Sequence, residues 1–279
     1  MQLNRAEVEQ FIDRALAEDV GRGDLTSNAT IPEGTKFKVA MVAREPVVVC
    51  GIGIAMMVFK RVLPDLDCQP LVKDGDKVGS KTVLAHIAGD ARAILVAERT
   101  ALNILQHLSG IATLTRRYAE LVEGTGATLI DTRKTIPTLR NLAKYASYMG
   151  GARNHRIRLD DGVLIKDNHI AACGSLTAAV QRAKRATPAL TIVEVECDTL
   201  DQVREAVAAG AGMILLDNME PAMLKEAVKI ADGRAVLEAS GGITLETIRD
   251  KASSGVDFVS VGRMTQSAPA VDIGLDYGV

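Results

Sequence analysis

No sign of charge dominates this sequence: 33 Lys and Arg stand against 35 Asp and Glu, a formal net charge of −2. A general nucleic-acid binder carries a basic excess, so that class is excluded. No apolar run approaches the roughly 18 residues of a membrane span, and the charged start MQLNRAEVEQ does not read as a signal peptide. The four cysteines (Cys50, Cys68, Cys173, Cys197) are widely spaced with no CxxC, a usage expected of reduced thiols in a cytoplasmic protein. The four histidines (His86, His107, His155, His169) show no HExxH or similar spacing, which argues against a transition-metal site. A Gly-rich dinucleotide fingerprint is also missing; the nearest stretch, GIGIAM at 51–56, lacks the third Gly.

What is present divides in two. Residues 4–18 read as an amphipathic helix, with Asn4 as cap and Val8, Phe11, Ile12, Ala15 and Leu16 on one face. A polar loop, EDVGRGDLTSNAT, is expected next. The runs FKVAMVA, EPVVVCGI, CQPLVKDGDKV and KTVLAHIAGD then read as short strands, with turns at Asp74-Gly75 and Gly89-Asp90. A helical pattern starts near Arg92, pauses at Ser109-Gly110 and resumes through Glu123. This first part, 1–112, is expected to be a small α/β domain.

From residue 127 the texture changes. Apolar strand candidates (ATLIDTRK, GVLIKDNH, TIVEVECD, MILLDNM, AVLEASGG, FVSVGR) alternate with helical stretches at 175–187, 199–209, 220–231 and 244–254. The later repeats recur at about 21–23 residues, and such alternation implies parallel strands with crossover helices. A barrel places its chemistry at the carboxyl ends of all strands. Lys134, Lys166, Glu196, Asp217, Ser240 and Gly262 each fall at or just past such an end. A barrel is therefore expected over 113–279, incomplete or open on one side, with the tail 275–279 a candidate to return to the first domain.

Three constellations carry chemistry. Arg133, Lys134, His155, Arg156, Arg158, Lys166 and His169 converge on this rim. Singly they are ordinary loop charges, but together they suit a multiply charged anion. Glu194 and Glu196 are two apart on one strand and so face one side, and Asp217 ends the next strand. They fit ion pairs with the cations or a Mg²⁺ site completed by substrate phosphates. The glycines of EASGGI and SVGR suit a phosphate cradle after late barrel strands, or tight turns. Arg99 lies apart, beside a leucine stripe, either snorkelled to the surface or reaching an anion from another domain or subunit.

Together with ALAEDVGRGDLTS, ERTALNILQHLSGIAT, DTRKTIPTLR, KYASYMGGARNHRIRLDDGVLIKDNHI, VEVE, LLDN, EASGGI and GVDFVSVGRMTQSAPAVDIGLDY, these residues make the chain resemble the quinolinate phosphoribosyltransferase family over nearly its whole length. The resemblance implies an N-terminal α/β sandwich followed by an open-faced α/β barrel. It implies decarboxylating phosphoribosyl transfer to quinolinate in NAD biosynthesis, with Mg²⁺, in a cytoplasmic homodimer or a higher oligomer built on it, with active sites shared between subunits. Arg99 from the partner subunit, Arg133, Lys134, His155, Arg156 and Lys166 would take quinolinate. Lys134, Lys166, Glu196, Asp217, Ser240, Gly241, Gly242 and Gly262 would take phosphoribosyl pyrophosphate, with Glu196 and Asp217 holding Mg²⁺. Lys134, Glu196 and Asp217 would be the catalytic set. Thr138 and Ala152 stand where the family commonly has Gly. A transferase acting on another aromatic acid, such as nicotinate, and a non-enzymatic anion-binding barrel are the competing readings.

Overall fold

The computed structural model describes residues 1–278, in two units. The first comprises Met1–Arg116, Asn141–Gly150 and the described residues from Ser267 onward; the second comprises Arg117–Arg140 and Gly151–Gln266.

The first unit opens with α1 (Arg5–Val20), whose Asn4 side chain accepts from the amides of Ala6 and Glu7. The expected polar loop instead holds a short helix, α2 (Leu25–Thr30), because Asp24 caps it by accepting from the Ser27 amide. Strands β1 (Lys36–Ala43) and β2 (Val47–Val48) follow, then α3 (Ile52–Val62), β3 (Asp67–Pro70), β4 (Lys77–Val78) and β5 (Val83–Asp90). GIGIAM therefore opens a helix rather than continuing a strand. Its first amides, Gly51 and Ile52, donate to Asp74 Oδ1 at 2.8 and 3.0 Å. Gly89-Asp90 is likewise not a turn but the end of β5, where a Cβ on Gly89 would lie 2.5 Å from Leu66 Cδ2.

Helix α4 (Ala91–Val122) runs without the expected pause. Gly110 serves close packing instead: a Cβ there would lie 2.1 Å from the Pro269 carbonyl oxygen. Its neighbour Ser109 is fully buried, bonded to Cys50 N and Cys50 O. The helix α5 (Arg140–Gly150), unforeseen in the sequence, belongs to this unit except for its first residue. The carboxy-terminal strand β12 (Ile273–Tyr277) completes an antiparallel sheet in the order β12-β1-β5-β3. Val279 lies outside the described residues.

The second unit is built on six parallel strands: β6 (Thr128–Ile130), β7 (Val163–Ile165), β8 (Val193–Cys197), β9 (Met213–Asp217), β10 (Val236–Ser240) and β11 (Phe258–Ser260). They lie in the order β6-β11-β10-β9-β8-β7, so β6 and β7 are the two ends and, among the described residues, no ladder joins them. Beyond β6 a single bridge, Ile130 to Arg153, adds one more parallel contact. The barrel is thus open on one side, as expected from the short strand count.

Between the strands run α6 (Asp167–Cys173), α7 (Leu176–Ala186), α8 (Leu200–Ala209), α9 (Pro221–Ala231), α10 (Ile248–Ala252) and α11 (Arg263–Gln266). Their starts are encoded locally. Ser175 caps α7, Thr199 forms a capping box with Gln202 on α8, and Pro221 occupies the first turn of α9. Val193, Val195 and Cys197 are buried on one side of β8, leaving Glu194 and Glu196 to the other. Buried Val180, Val203, Leu224 and Ile248 supply helix-side apolar surface, each worth about 1.5–3 kcal/mol when fully removed from water.

Candidate active site

The strand ends of the second unit carry the expected groups. Glu196 and Asp217 lie at the ends of β8 and β9, Ser240 closes β10, and Lys166 follows β7 directly. Lys166 Nζ is ion-paired with Glu196 Oε2. Asp217 Oδ2 accepts from Asn218 Nδ2 at 2.7 Å, and the Asn218 amide donates to Ser240 O at 3.0 Å. Ser260 Oγ donates to Ser240 Oγ at 2.8 Å.

Glycine at these turns is required by space. A Cβ on Gly241 would lie 2.3 Å from Asn218 Oδ1 and 2.7 Å from Asn218 N, and Gly241 has φ +86°. Gly242 also has a positive φ, +59°. A Cβ on Gly262 would lie 2.8 Å from Lys134 Cδ, so the glycine leaves room for that lysine. The Lys134 backbone is held at both ends, its amide by Thr132 Oγ1 at 3.0 Å and its carbonyl by Thr265 Oγ1 at 2.7 Å. The lysine side chain remains exposed.

A second cluster sits deeper. Fully buried Asp131 accepts from the His155 amide at 2.9 Å and from Asn154 Nδ2 at 2.8 Å. His155 Nε2 lies 3.1 Å from Glu194 Oε2 and 3.4 Å from Glu238 Oε2. Burial opposes a charge on this ring, but the hydrogen bond to Glu194 and the neighbouring Glu238 carboxylate outweigh it and push its pKa up to about 10. Burial also pushes the Glu194 carboxyl up, against the lowering effect of the His155 hydrogen bond. Arg156 Nη1 donates to Gly162 O at 2.8 Å. Burial, and then the neighbouring Arg133 charge, lower the Arg156 pKa. Arg133 Nε is itself buried with no hydrogen-bond partner among the described residues. His155, Arg156 and Glu194 also line a cavity of about 340 Å³, together with Arg153 and Met213.

The structure brings most of the expected residues of the second unit into two layers. Arg158 and His169, expected on the same rim, are exposed instead, and His169 Nδ1 accepts from the Lys166 amide at 3.0 Å at the start of α6. The strand-end layer holds Lys134, Lys166, Glu196, Asp217, Ser240, Gly241, Gly242 and Gly262. The inner layer holds Arg133, His155 and Arg156. Arg99 is exposed on α4 in the first unit. The sequence reading missed Asp131, Asn218 and Glu238. Glu238 had a signal available: it stands two residues before Ser240 on β10, on the same strand face, as Glu194 stands before Glu196.

Two places could hold a cation. His155, Glu194 and Glu238 offer ligand atoms within 4.8 Å of one another. Arg133 and Arg156 already supply positive charge to that layer, which disfavours a divalent ion there. Glu196 and Asp217 present hard oxygen donors on adjacent strand ends, a set that suits Mg²⁺, which typically takes one or two carboxylates and substrate phosphates.

Comparison with known proteins agrees with this architecture. The N-terminal domain of quinolinate phosphoribosyl transferase matches residues 24–109 and its C-terminal domain matches residues 111–276. The nicotinate-nucleotide pyrophosphorylase [carboxylating] of Mycobacterium leprae is 44% identical over 271 residues, covering 95% of each chain. A probable enzyme of the same name from Methanocaldococcus jannaschii is 42% identical over 276 residues, covering 96% of each. The solved nicotinate-nucleotide pyrophosphorylase from Francisella tularensis superposes with a TM-score of 0.95 at 38% identity, covering 99% of this chain and 97% of that one. Two domain matches in order, with identity sustained along the full length, establish that this chain belongs to the quinolinate phosphoribosyl transferase family.

Proposed function

We propose that the chain transfers the phosphoribosyl group of phosphoribosyl pyrophosphate to quinolinate, releasing pyrophosphate and CO₂ and forming nicotinate mononucleotide for NAD synthesis. The observation that carries this reading is Arg133, whose Nε is buried without a partner beside a second arginine, Arg156. An orphaned buried donor is costly, and two adjacent guanidinium groups repel one another. A substrate with two neighbouring carboxylates relieves both penalties. Arg133, Arg156 and His155 then form the inner wall of the acid pocket, and Lys134 and Lys166 meet the acid from the strand-end layer. The partner subunit's Arg99 adds a further cation in a cytoplasmic homodimer with shared sites. No helix among the described residues is long and apolar enough to cross a membrane.

Phosphoribosyl pyrophosphate takes the strand-end layer. Ser240, Gly241, Gly242 and Gly262 cradle phosphate, where the glycines allow close backbone approach. Glu196 and Asp217 hold Mg²⁺, which when bound neutralises charge on the pyrophosphate leaving group. Lys134 and Lys166 stabilise the same developing charge. The pyridine nitrogen attacks C1′ of the ribose as the pyrophosphate bond breaks, so no protein nucleophile is needed. The quaternised ring then accepts the electron pair left when the 2-carboxylate departs as CO₂. The pocket cations act mainly by holding ring and ribose in line.

Release of labelled CO₂ from carboxyl-labelled quinolinate tests the reading. Release that requires both phosphoribosyl pyrophosphate and Mg²⁺ is expected. Turnover of nicotinate in preference to quinolinate would overturn it, because a monoacid leaves one of the two inner arginines unmatched.

A further inference from the structure

The two buried glutamates of the inner layer have no part in the reaction just described. Glu194 and Glu238 are 3% and 1% exposed. They come from β8 and β10, which are separated by β9 in the sheet, and converge inside the barrel. Buried carboxylates are expensive unless paired, and an apolar pair would fill a core at less cost. Their common partner is one ring nitrogen, His155 Nε2, at 3.1 and 3.4 Å. The other ring nitrogen, Nδ1, lies 2.7 Å from the Arg156 amide. His155 thus spends both nitrogens on the protein. It links the carboxylate pair on one side to the backbone of an acid-pocket arginine on the other.

We propose that Glu194 and Glu238 are positioning residues for the acid substrate: they fix the His155 ring, and the ring fixes Arg156. The charged groups that face the ring are Glu194 from β8 and Glu238 from β10, and Arg153, Arg156 and Asp161 line the same cavity. The geometry explains why Arg156 can stand near Arg133 despite their repulsion. Its backbone is tied to Nδ1, and its guanidinium to the Gly162 carbonyl at 2.8 Å. This inference rests on the transferase reading for the identity of the acid, but not for the ring's anchorage.

The test uses the isosteric variants Glu194→Gln and Glu238→Gln in the full-length protein. Each should raise the KM for quinolinate about tenfold or more while that for phosphoribosyl pyrophosphate stays within about twofold. In a His155→Asn background, Glu194→Gln should add less than about twofold, because the residue it acts through is gone. An undiminished effect in that background, or equal rises in both KM values, overturns the proposal and marks a general structural role. A second readout is independent of turnover. With ¹⁵N-labelled histidine, His155 should show a slowly exchanging, downfield Nε2 proton, shifted or lost in both glutamine variants. If wild type fails to process quinolinate yet shows this proton, the transferase reading falls and the anchorage stands. If the proton is absent, the anchorage falls whatever the activity.

Discussion

Lys166 and Glu196 are ion-paired across the ends of neighbouring strands β7 and β8. Lys166 is about half exposed, at 47%, so the pair adds only about 0–1 kcal/mol to stability. Its significance is competition. Under the function proposed above the same carboxylate would also hold Mg²⁺, and a metal there would compete with Lys166 for it. Glu196→Gln should lower kcat/KM about 100-fold or more and raise the Mg²⁺ concentration needed for half-maximal rate. Its melting temperature should stay within a few degrees of wild type. A large loss of thermal stability would instead make the pair structural.

Gly241 and Asn218 set the next expectation. A side chain at Gly241 would strike both the side chain and the amide of Asn218, and φ +86° disfavours any residue with a Cβ. Asn218 also bonds Asp217, so the collision is passed to a candidate metal ligand. Gly241→Ala should cost about 1–3 kcal/mol in denaturant unfolding. It should also raise the KM for phosphoribosyl pyrophosphate about tenfold, with little change for the acid. A variant of normal stability and kinetics would show that this turn yields freely.

His155 gives a pH signature. Its folded pKa, about 10, lies above the ordinary histidine value of 6.5. The Arg156 amide, however, donates to Nδ1 at 2.7 Å, and a charged ring, protonated at both nitrogens, cannot accept it. The anchorage of Arg156 therefore requires a ring with one proton, on Nε2. The stability difference between wild type and His155→Asn should then stay constant between about pH 6.5 and 10, read by urea unfolding at several pH values. A charged ring would instead contribute stability that is fully present below about pH 6.5 and lost as pH rises through about 10. A difference that shrinks over that window would rule out the Nδ1 contact.

The alternating half of the fold was legible because each strand is a short apolar run ending in polar residues, and each main helix carries its own start signal. Ser175, Thr199 and Pro221 needed no tertiary information to be read. Gly110 could not be read this way. As a sequence feature it resembles a helix break, yet it marks the approach of the Pro269 carbonyl, more than 150 residues later. The same holds for Gly150 in α5, where a Cβ would lie 2.5 Å from Thr115 Cβ. Glu238 carried a local signal, its place two residues before Ser240 on one strand face, but its meeting with Glu194 across β9 could not be read from the sequence. The strand-end groups were legible because a parallel sheet sends its carboxyl ends to one side whatever the packing details.

Thr138 stands out in the 133–140 loop because its backbone is strained. The Leu139 amide donates to Ile136 O at 3.2 Å, closing a four-residue turn with Pro137 second and Thr138 third. Thr138 has φ +69°, the conformation that a type II turn requires at its third position and that glycine adopts freely. A β-branched residue there carries strain of about 1–3 kcal/mol, offset in part by the roughly 0.5–1 kcal/mol that glycine loses in chain entropy. Thr138 is exposed, so no packing is forfeited by its removal. Thr138→Gly should therefore stabilise the protein by about 1 kcal/mol, read as a higher midpoint in denaturant. Because Lys134 is anchored independently through Thr132 and Thr265, turnover should change less than about twofold. A destabilised variant would show that the threonine makes up its strain by restricting the unfolded chain. A stable but inactive one would show that the stiffness of this turn is needed to hold Arg133 and Lys134 against the substrate.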